Sequence, residues 1–329
     1  LFVTLRQMAA AGRAVIFITH KLQEVMEVAD RITVLRAGRN VATLRKEDTD
    51  PRQLARLMVG EEVSLAYERV ARPPGECLLE LEGIHAMGDR GMLALRGLSL
   101  HVHEGEIVGL AGVSGNGQRE LAEVVSGLRR VEKGMVKVAG RDVTNCHPAQ
   151  IISSGVSLVP EDRLGTGLVP SLGVCENIIL KSYRCPPISR GPFLQWGEIR
   201  KRATELVRLF SVKVPRLDTT VRKLSGGNLQ RLLLAREISS RPRVMVAVHP
   251  TRGLDVGATA GVHRLLLEQR NEGAAILLIS EDLDEILALA DRVAVIYEGR
   301  IVGEMPVGEA QVEDIGLMMA GSHPQEAAS

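Results

Sequence analysis

Apolar positions in this chain take two forms: short runs bounded by glycine, and longer stretches with helical spacing. From Leu78 the runs LLELEGI, LALRGLSLHV and GEIVGLAG predict β-strands, and ELAEVVSGL after them predicts a helix. Arg243 to Val248 (RVMVAV) and Ala275 to Ser280 (AILLIS) are almost wholly apolar, the pattern of parallel strands buried on both faces. LQRLLLAREI and EDLDEILALA instead repeat their apolar positions every three to four residues and predict helices. Strands alternating with helices indicate an α/β fold.

The pattern also repeats. A shift of 261 positions sets ITHKLQEVMEVADRITVLRAGR (Ile18 to Arg39) on ISEDLDEILALADRVAVIYEGR (Ile279 to Arg300), without a gap from about Leu5 to Gly60. Roughly a quarter of the aligned positions are identical. Residues 1–60 therefore read as the tail of a first domain copy, 61–77 as a Pro-containing linker, 78–321 as a complete second copy and 322–329 as a tail. The run AVIFIT (Ala14 to Thr19) is expected to form a strand ending at His20, opposite AILLIS, which ends at Glu281. If the copies are equal in length, about 180 residues belong before Leu1, so truncation at the amino end is expected.

Composition narrows the class. Basic and acidic side chains balance at 41 against 40, which argues against a nucleic-acid binder driven by bulk charge and against a charged disordered chain. No apolar stretch approaches the roughly 18 residues that span a bilayer. Cys77, Cys146, Cys175 and Cys185 form no CxxC pair and have no histidine at zinc-ligand spacing. They suit a reducing compartment.

The candidate chemistry lies in the glycine loops. Gly112-Val113-Ser114-Gly115-Asn116-Gly117-Gln118-Arg119 follows a strand, precedes a helix and has the spacing of G-x-x-x-x-G-K-[ST], in which backbone N–H groups and a helix end hold phosphates. Gln118, however, replaces the Lys, and Arg119 the hydroxyl that would hold Mg²⁺. Leu224-Ser225-Gly226-Gly227-Asn228 opens a helix and offers free amides to an anion. The loop His249 to Gly257 leaves a buried strand at its carboxyl end, where functional groups of α/β proteins emerge.

With these motifs in order, the chain resembles an ABC-transporter ATP-binding subunit of the tandem, two-cassette type used to import simple sugars and nucleosides. GVSGNGQ resembles most the second cassette of nucleoside importers, where a loop without Lys is the usual form. The resemblance implies P-loop NTPase cassettes, one partial and one complete, each a parallel α/β core with an antiparallel β portion and a helical insert, here about 164–223. It implies two ATP sites, head to tail. One would combine a phosphate loop preceding this chain with His20 at the γ-phosphate and with Ser225, Gly226 and Gly227 of the signature, Asp255 steadying the opposite loop. The other would be degenerate, with Gln118 for Lys, Val248 for the Mg²⁺-associated Asp, His249 for the water-polarising Glu, Glu281 for the switch His and Glu161 where a Gln is often found.

The same resemblance implies ATP and Mg²⁺ as cofactors, although no metal set is intact in this chain. It implies two transmembrane permease subunits, indirect contact with an extracytoplasmic solute-binding lipoprotein, and a peripheral place on the cytoplasmic face of the membrane, with no nucleic-acid partner. A nucleoside is the first expected solute and a ribose- or galactose-type sugar the second. Two rival classes remain: a tandem cassette protein acting on ribosomes, and a nucleotide-sensing module without turnover. No aromatic residue lies between Leu78 and Gly117 to stack on adenine, and Phe193 and Trp196 are read as local core of the insert.

Overall fold

The computed structural model describes residues 1–19, 21–36, 38–59 and 75–322. They fall into two units, Leu1–Tyr67 with Gly253–His263, and Glu68–Arg252 with Arg264–Ser329.

The smaller unit contains helices α1 (Phe2–Ala10) and α2 (Leu22–Val28), an antiparallel hairpin of β1 (Arg31–Arg36) and β2 (Arg39–Arg45), and helix α3 (Pro51–Val59). Alternation along β1 buries Ile32 and Val34 against Leu54 of α3, with Leu22, Val25 and Met26 of α2 packed on them.

Residues 13–19 contain no strand, which corrects the expectation for Ala14 to Thr19. Ile16 and Ile18 are each 90% exposed. The reason is visible at the aligned residues 275–279, which form a strand only because they are laddered on both edges. Residues 14–18 have no neighbouring strand among the described residues, and an apolar run without ladder partners leaves its backbone groups to water.

The larger unit opens with β3 (Cys77–Met87), β4 (Leu93–His103) and β5 (Ile107–Ala111), then α4 (Gln118–Val125), β6 (Lys133–Val138), β7 (Arg141–Asp142), α5 (Pro148–Ser153) and β8 (Val156–Val159). The stretch expected as a helical insert holds α6 (Val174–Ile179), a small hairpin of β9 (Ser189–Arg190) and β10 (Phe193–Leu194), and α7 (Trp196–Leu209). Phe193 and Trp196 are 72% and 46% exposed, so they are not core: the hairpin and the first residue of α7 put both rings at the surface. The chain continues through α8 (Gly226–Ile238), β11 (Val244–Val248), α9 (Val256–Asn271), β12 (Ala275–Ile279), α10 (Leu283–Leu289), β13 (Arg292–Tyr297), β14 (Arg300–Pro306) and α11 (Val312–Met319).

Two sheets result. The six-stranded sheet has the order β14-β13-β5-β12-β11-β8, parallel except for the edge strand β14, and the four-stranded sheet β4-β3-β6-β7 is antiparallel. β5, β11 and β12 are buried at every residue, as their unbroken apolar runs require. One core joins the sheets, Leu79, Leu81 and Leu100 of the antiparallel one packing with Leu110, Val246 and Leu277 of the parallel one.

The repeat has a structural counterpart. The bounds of α2, β1 and β2 recur 261 positions later in α10, β13 and β14. Even the bulge recurs, between Val34 and Leu35 in one hairpin and between Val295 and Ile296 in the other. Lys46 N donates to Asp30 O at 3.1 Å, and Val307 N to Asp291 O at 3.0 Å.

Candidate functional site

The glycine loop leaves the buried end of β5. Gly115 (φ 91°) and Gly117 (φ 107°) occupy the left-handed region, and a Cβ on Gly117 would lie 2.9 Å from Ala94 O. The loop closes onto the β13–β14 turn: Gly299 N donates to Asn116 O at 3.0 Å, and Glu298 N to Asn116 Oδ1 at 2.8 Å. Gln118, the first residue of α4, is 7% exposed. Its Nε2 donates to Val113 O at 2.9 Å and its Oε1 accepts from Asn116 N at 3.0 Å. The side chain therefore lies across its own loop, and one amide available to an anion is already taken.

Arg119 turns outward. Its guanidinium donates to Glu123 Oε1 at 2.8 Å and to Asp89 Oδ2 at 3.2 Å. Arg129 holds the same Asp89 at 2.6 Å, and with Arg119 it keeps the Asp89 carboxyl below its ordinary range. Residue 119 thus offers no oxygen where Mg²⁺ would need a ligand, and Val248 at the end of β11 is part of the apolar core. Among the described residues no cluster of His, Cys, Asp and Glu is arranged to hold a metal.

Strand order gathers the remaining groups. β5, β12, β11 and β8 are adjacent and parallel, with Ile279 opposite both Leu110 and Val248, and Ala247 opposite Val159. The loop from Gly112, Glu281, His249 and Glu161 therefore all leave the same carboxyl edge of the sheet, the usual ligand crevice of an α/β fold. His249 is half-buried with φ 45°, and its N–H donates to Ile279 O at 2.8 Å. Glu161 pairs with Arg252, and Glu281 is exposed.

Ser225 to Asn228 lie elsewhere, at the amino end of α8. Asn228 Nδ2 donates to Ser225 Oγ at 2.9 Å, and Asn228 Oδ1 accepts from Lys213 N at 2.8 Å. Ser225 is exposed and Gly226 and Gly227 half-exposed, so first-turn amides with no acceptor in the helix are open to an anion. Asp255 immediately precedes α9 and caps it, its Oδ1 accepting from Ala258 N at 2.8 Å. His20 lies outside the described residues.

The structure adds polar contacts to which sequence reasoning assigned no role. Arg163 Nε donates to Gln230 Oε1 at 2.6 Å and its guanidinium also reaches Arg252 O, while burial lowers the Arg163 pKa. Thr251 and Ser280 both donate to the buried Glu285. Glu285 had one signal in the sequence: the repeat pairs it with an identical Glu24.

Residues 95–252 match the model of the ABC transporter family. The chain is 48% identical to a glucose import ATP-binding protein of Haloferax volcanii, over 98% of this chain and 59% of that protein. It is 45% identical to a guanosine import ATP-binding protein of Bacillus subtilis, over 98% and 63%, and 41% identical to a ribose import ATP-binding protein of Rubrobacter xylanophilus, over 98% and 63%. The chain thus spans less than two thirds of the length of these curated relatives. Among solved structures, a nucleotide-free ATP-binding cassette from an ABC transporter aligns with TM-score 0.61 at 22% identity, covering 73% of this chain and 99% of that one. That likeness establishes a shared α/β fold.

Proposed function

We propose that this chain, whose residues 95–252 match the ABC transporter family model, is the carboxyl-terminal part of a tandem-cassette ATPase subunit that energises import of a nucleoside. The observation that carries the degenerate half of this reading is Gln118 folded across its own loop, with Arg119 turned away and Val248 in the core. These residues do not fit Mg²⁺, so no hydrolytic step is assigned to the loop Gly112 to Arg119. The competent site would instead use the amides of Gly226 and Gly227 and the dipole of α8 to stabilise γ-phosphate charge, opposite a phosphate loop of the first cassette. His20 would contact the γ-phosphate, and Asp255 would steady the facing loop.

Three observations support the tandem arrangement: the recurrence of α2, β1 and β2 in α10, β13 and β14, the exposure of Ile16 and Ile18, and the greater length of the relatives. The relatives' names include guanosine, glucose and ribose import. A simple sugar is therefore the second reading, and two permease subunits at the cytoplasmic membrane face, with an extracytoplasmic binding lipoprotein, are the partners proposed.

Phosphate release tests the mechanism. The 329-residue chain is expected to hydrolyse ATP no faster than buffer, and turnover abolished by Gly117→Asp would refute the degenerate site. In the two-cassette protein His20→Ala is expected to abolish hydrolysis while Glu281→Ala leaves it nearly unchanged; equal effects would refute the asymmetry. Uptake of labelled guanosine against labelled ribose, with the neighbouring permeases, decides the solute.

A further inference from the structure

Each copy of the repeat places the same hydroxyl and the same carboxylate around the switch position. In the larger unit, Ser280 Oγ donates to Glu285 Oε2 at 2.6 Å and accepts from Asp282 N at 3.1 Å. In the smaller unit, Thr19 Oγ1 donates to Glu24 Oε2 at 2.7 Å and accepts from Lys21 N at 3.1 Å. The three pairs Thr19 and Ser280, Lys21 and Asp282, Glu24 and Glu285 are related by the shift that relates the two copies.

Glu281 is thus spanned by a bond from the N–H of Asp282 to the Ser280 hydroxyl, and in the smaller unit the N–H of Lys21 is bonded to the Thr19 hydroxyl in the same way. A hydroxyl alone holds such a turn weakly. A carboxylate as its acceptor fixes the hydroxyl rotor and strengthens both bonds. Helix capping does not explain the arrangement, because Asp282 already caps α10, whereas Lys21 at the start of α2 provides no side-chain cap.

What differs is the second carboxylate oxygen. Glu285, 4% exposed, uses it to accept from Thr251 Oγ1 at 2.6 Å, whereas that of Glu24 faces Lys21 Nζ at 3.7 Å. Thr251 stands two residues after His249, whose N–H is bonded to Ile279 O. The loop after β11 is therefore tied twice, to the end of β12 through backbone and to α10 through Glu285.

We propose that Glu24 and Glu285 are positioning residues for the switch position. Each fixes the backbone that presents residue 20 or 281, and Glu285 also ties that backbone to the loop carrying His249 and Thr251. The effect of Glu24 on turnover rests on the two-cassette reading. The clamp at Glu285 does not.

Two measurements separate these. In the 329-residue chain, Glu285→Ala and Thr251→Val should each speed amide exchange at both His249 and Asp282 by about tenfold or more, with Thr251→Ser restoring the native rate. Acceleration at one loop only, or at neither, overturns the coupling, and Thr251→Val decides alone if Glu285→Ala fails to fold. In the two-cassette protein, Glu24→Ala should lower kcat for ATP about tenfold with KM within about twofold, while Glu24→Gln, whose carbonyl still accepts from Thr19, retains most activity. Equal losses in the two variants overturn the positioning role. An unsubstituted two-cassette protein without ATP turnover would refute the proposed function, and the exchange result would still decide the Glu285 clamp.

Discussion

An amide side chain both donates and accepts, and this explains what Gln118 does that the lysine of an active loop does not. Its Nε2 satisfies Val113 O while its Oε1 takes the N–H of Asn116, so the glycine loop is held closed by its own helix. A lysine has no acceptor, so the Asn116 amide would keep only its longer bond to Val113 O at 3.3 Å. We predict that Gln118→Met, similar in length but without these bonds, destabilises the larger unit by about 1–2 kcal/mol. Urea unfolding checks this, and a neutral result would mean that water replaces the side chain. The outward ion pairs of Arg119 should contribute little, because its side chain is largely exposed.

Within the larger unit, the elements under the site are pinned by an ion pair whose sign can be tested. Arg292 at the start of β13 donates to Glu106 Oε1 at 2.9 Å, and His103 N at the end of β4 donates to Glu106 Oε2 at 2.8 Å. Burial acts to raise the Glu106 pKa, but Arg292 and the His103 amide outweigh it and hold the carboxyl below its ordinary value of 4.5. A depressed folded-state pKa contributes stability above the unfolded value, and that stability is lost as pH falls through the folded one. The melting temperature of the native chain should therefore exceed that of Glu106→Gln at pH 7, with the gap closing as pH falls below about 4.5. A constant gap would assign the difference to packing. The buried runs of β5, β11 and β12 were legible in the sequence because an unbroken apolar run has few alternatives once glycines bound it. The missing strand at Ala14 to Thr19 was not, because periodicity records what a segment prefers and says nothing of whether ladder partners are present. Gln118 could be read as a departure from a motif. Its direction, inward across the loop, depends on contacts with Val113 and Asn116 that spacing does not specify.

At the scale of the whole chain, Ile16 and Ile18 carry the sharpest test of the tandem reading. We predict that Ile16→Lys changes the stability of the 329-residue chain by less than about 0.5 kcal/mol, since the side chain is 90% exposed there. In the two-cassette protein the same change should cost about 3 kcal/mol or more, because it would put a charge into a central strand. Denaturant unfolding of both chains decides it, and equal small effects would reject the buried strand. The matching bulges in the β1–β2 and β13–β14 hairpins reach further. A bulge sets local twist, and the same irregularity at Val34/Leu35 and Val295/Ile296 gives the two hairpins one shape on largely different side chains. They are interchangeable parts in outline but not in attachment. A graft of residues 31–45 in place of 292–306 would inherit the register and, through Arg31, an arginine for Glu106, while surrendering the ion pairs that Glu298 makes with Arg96 and Glu304 with Arg292.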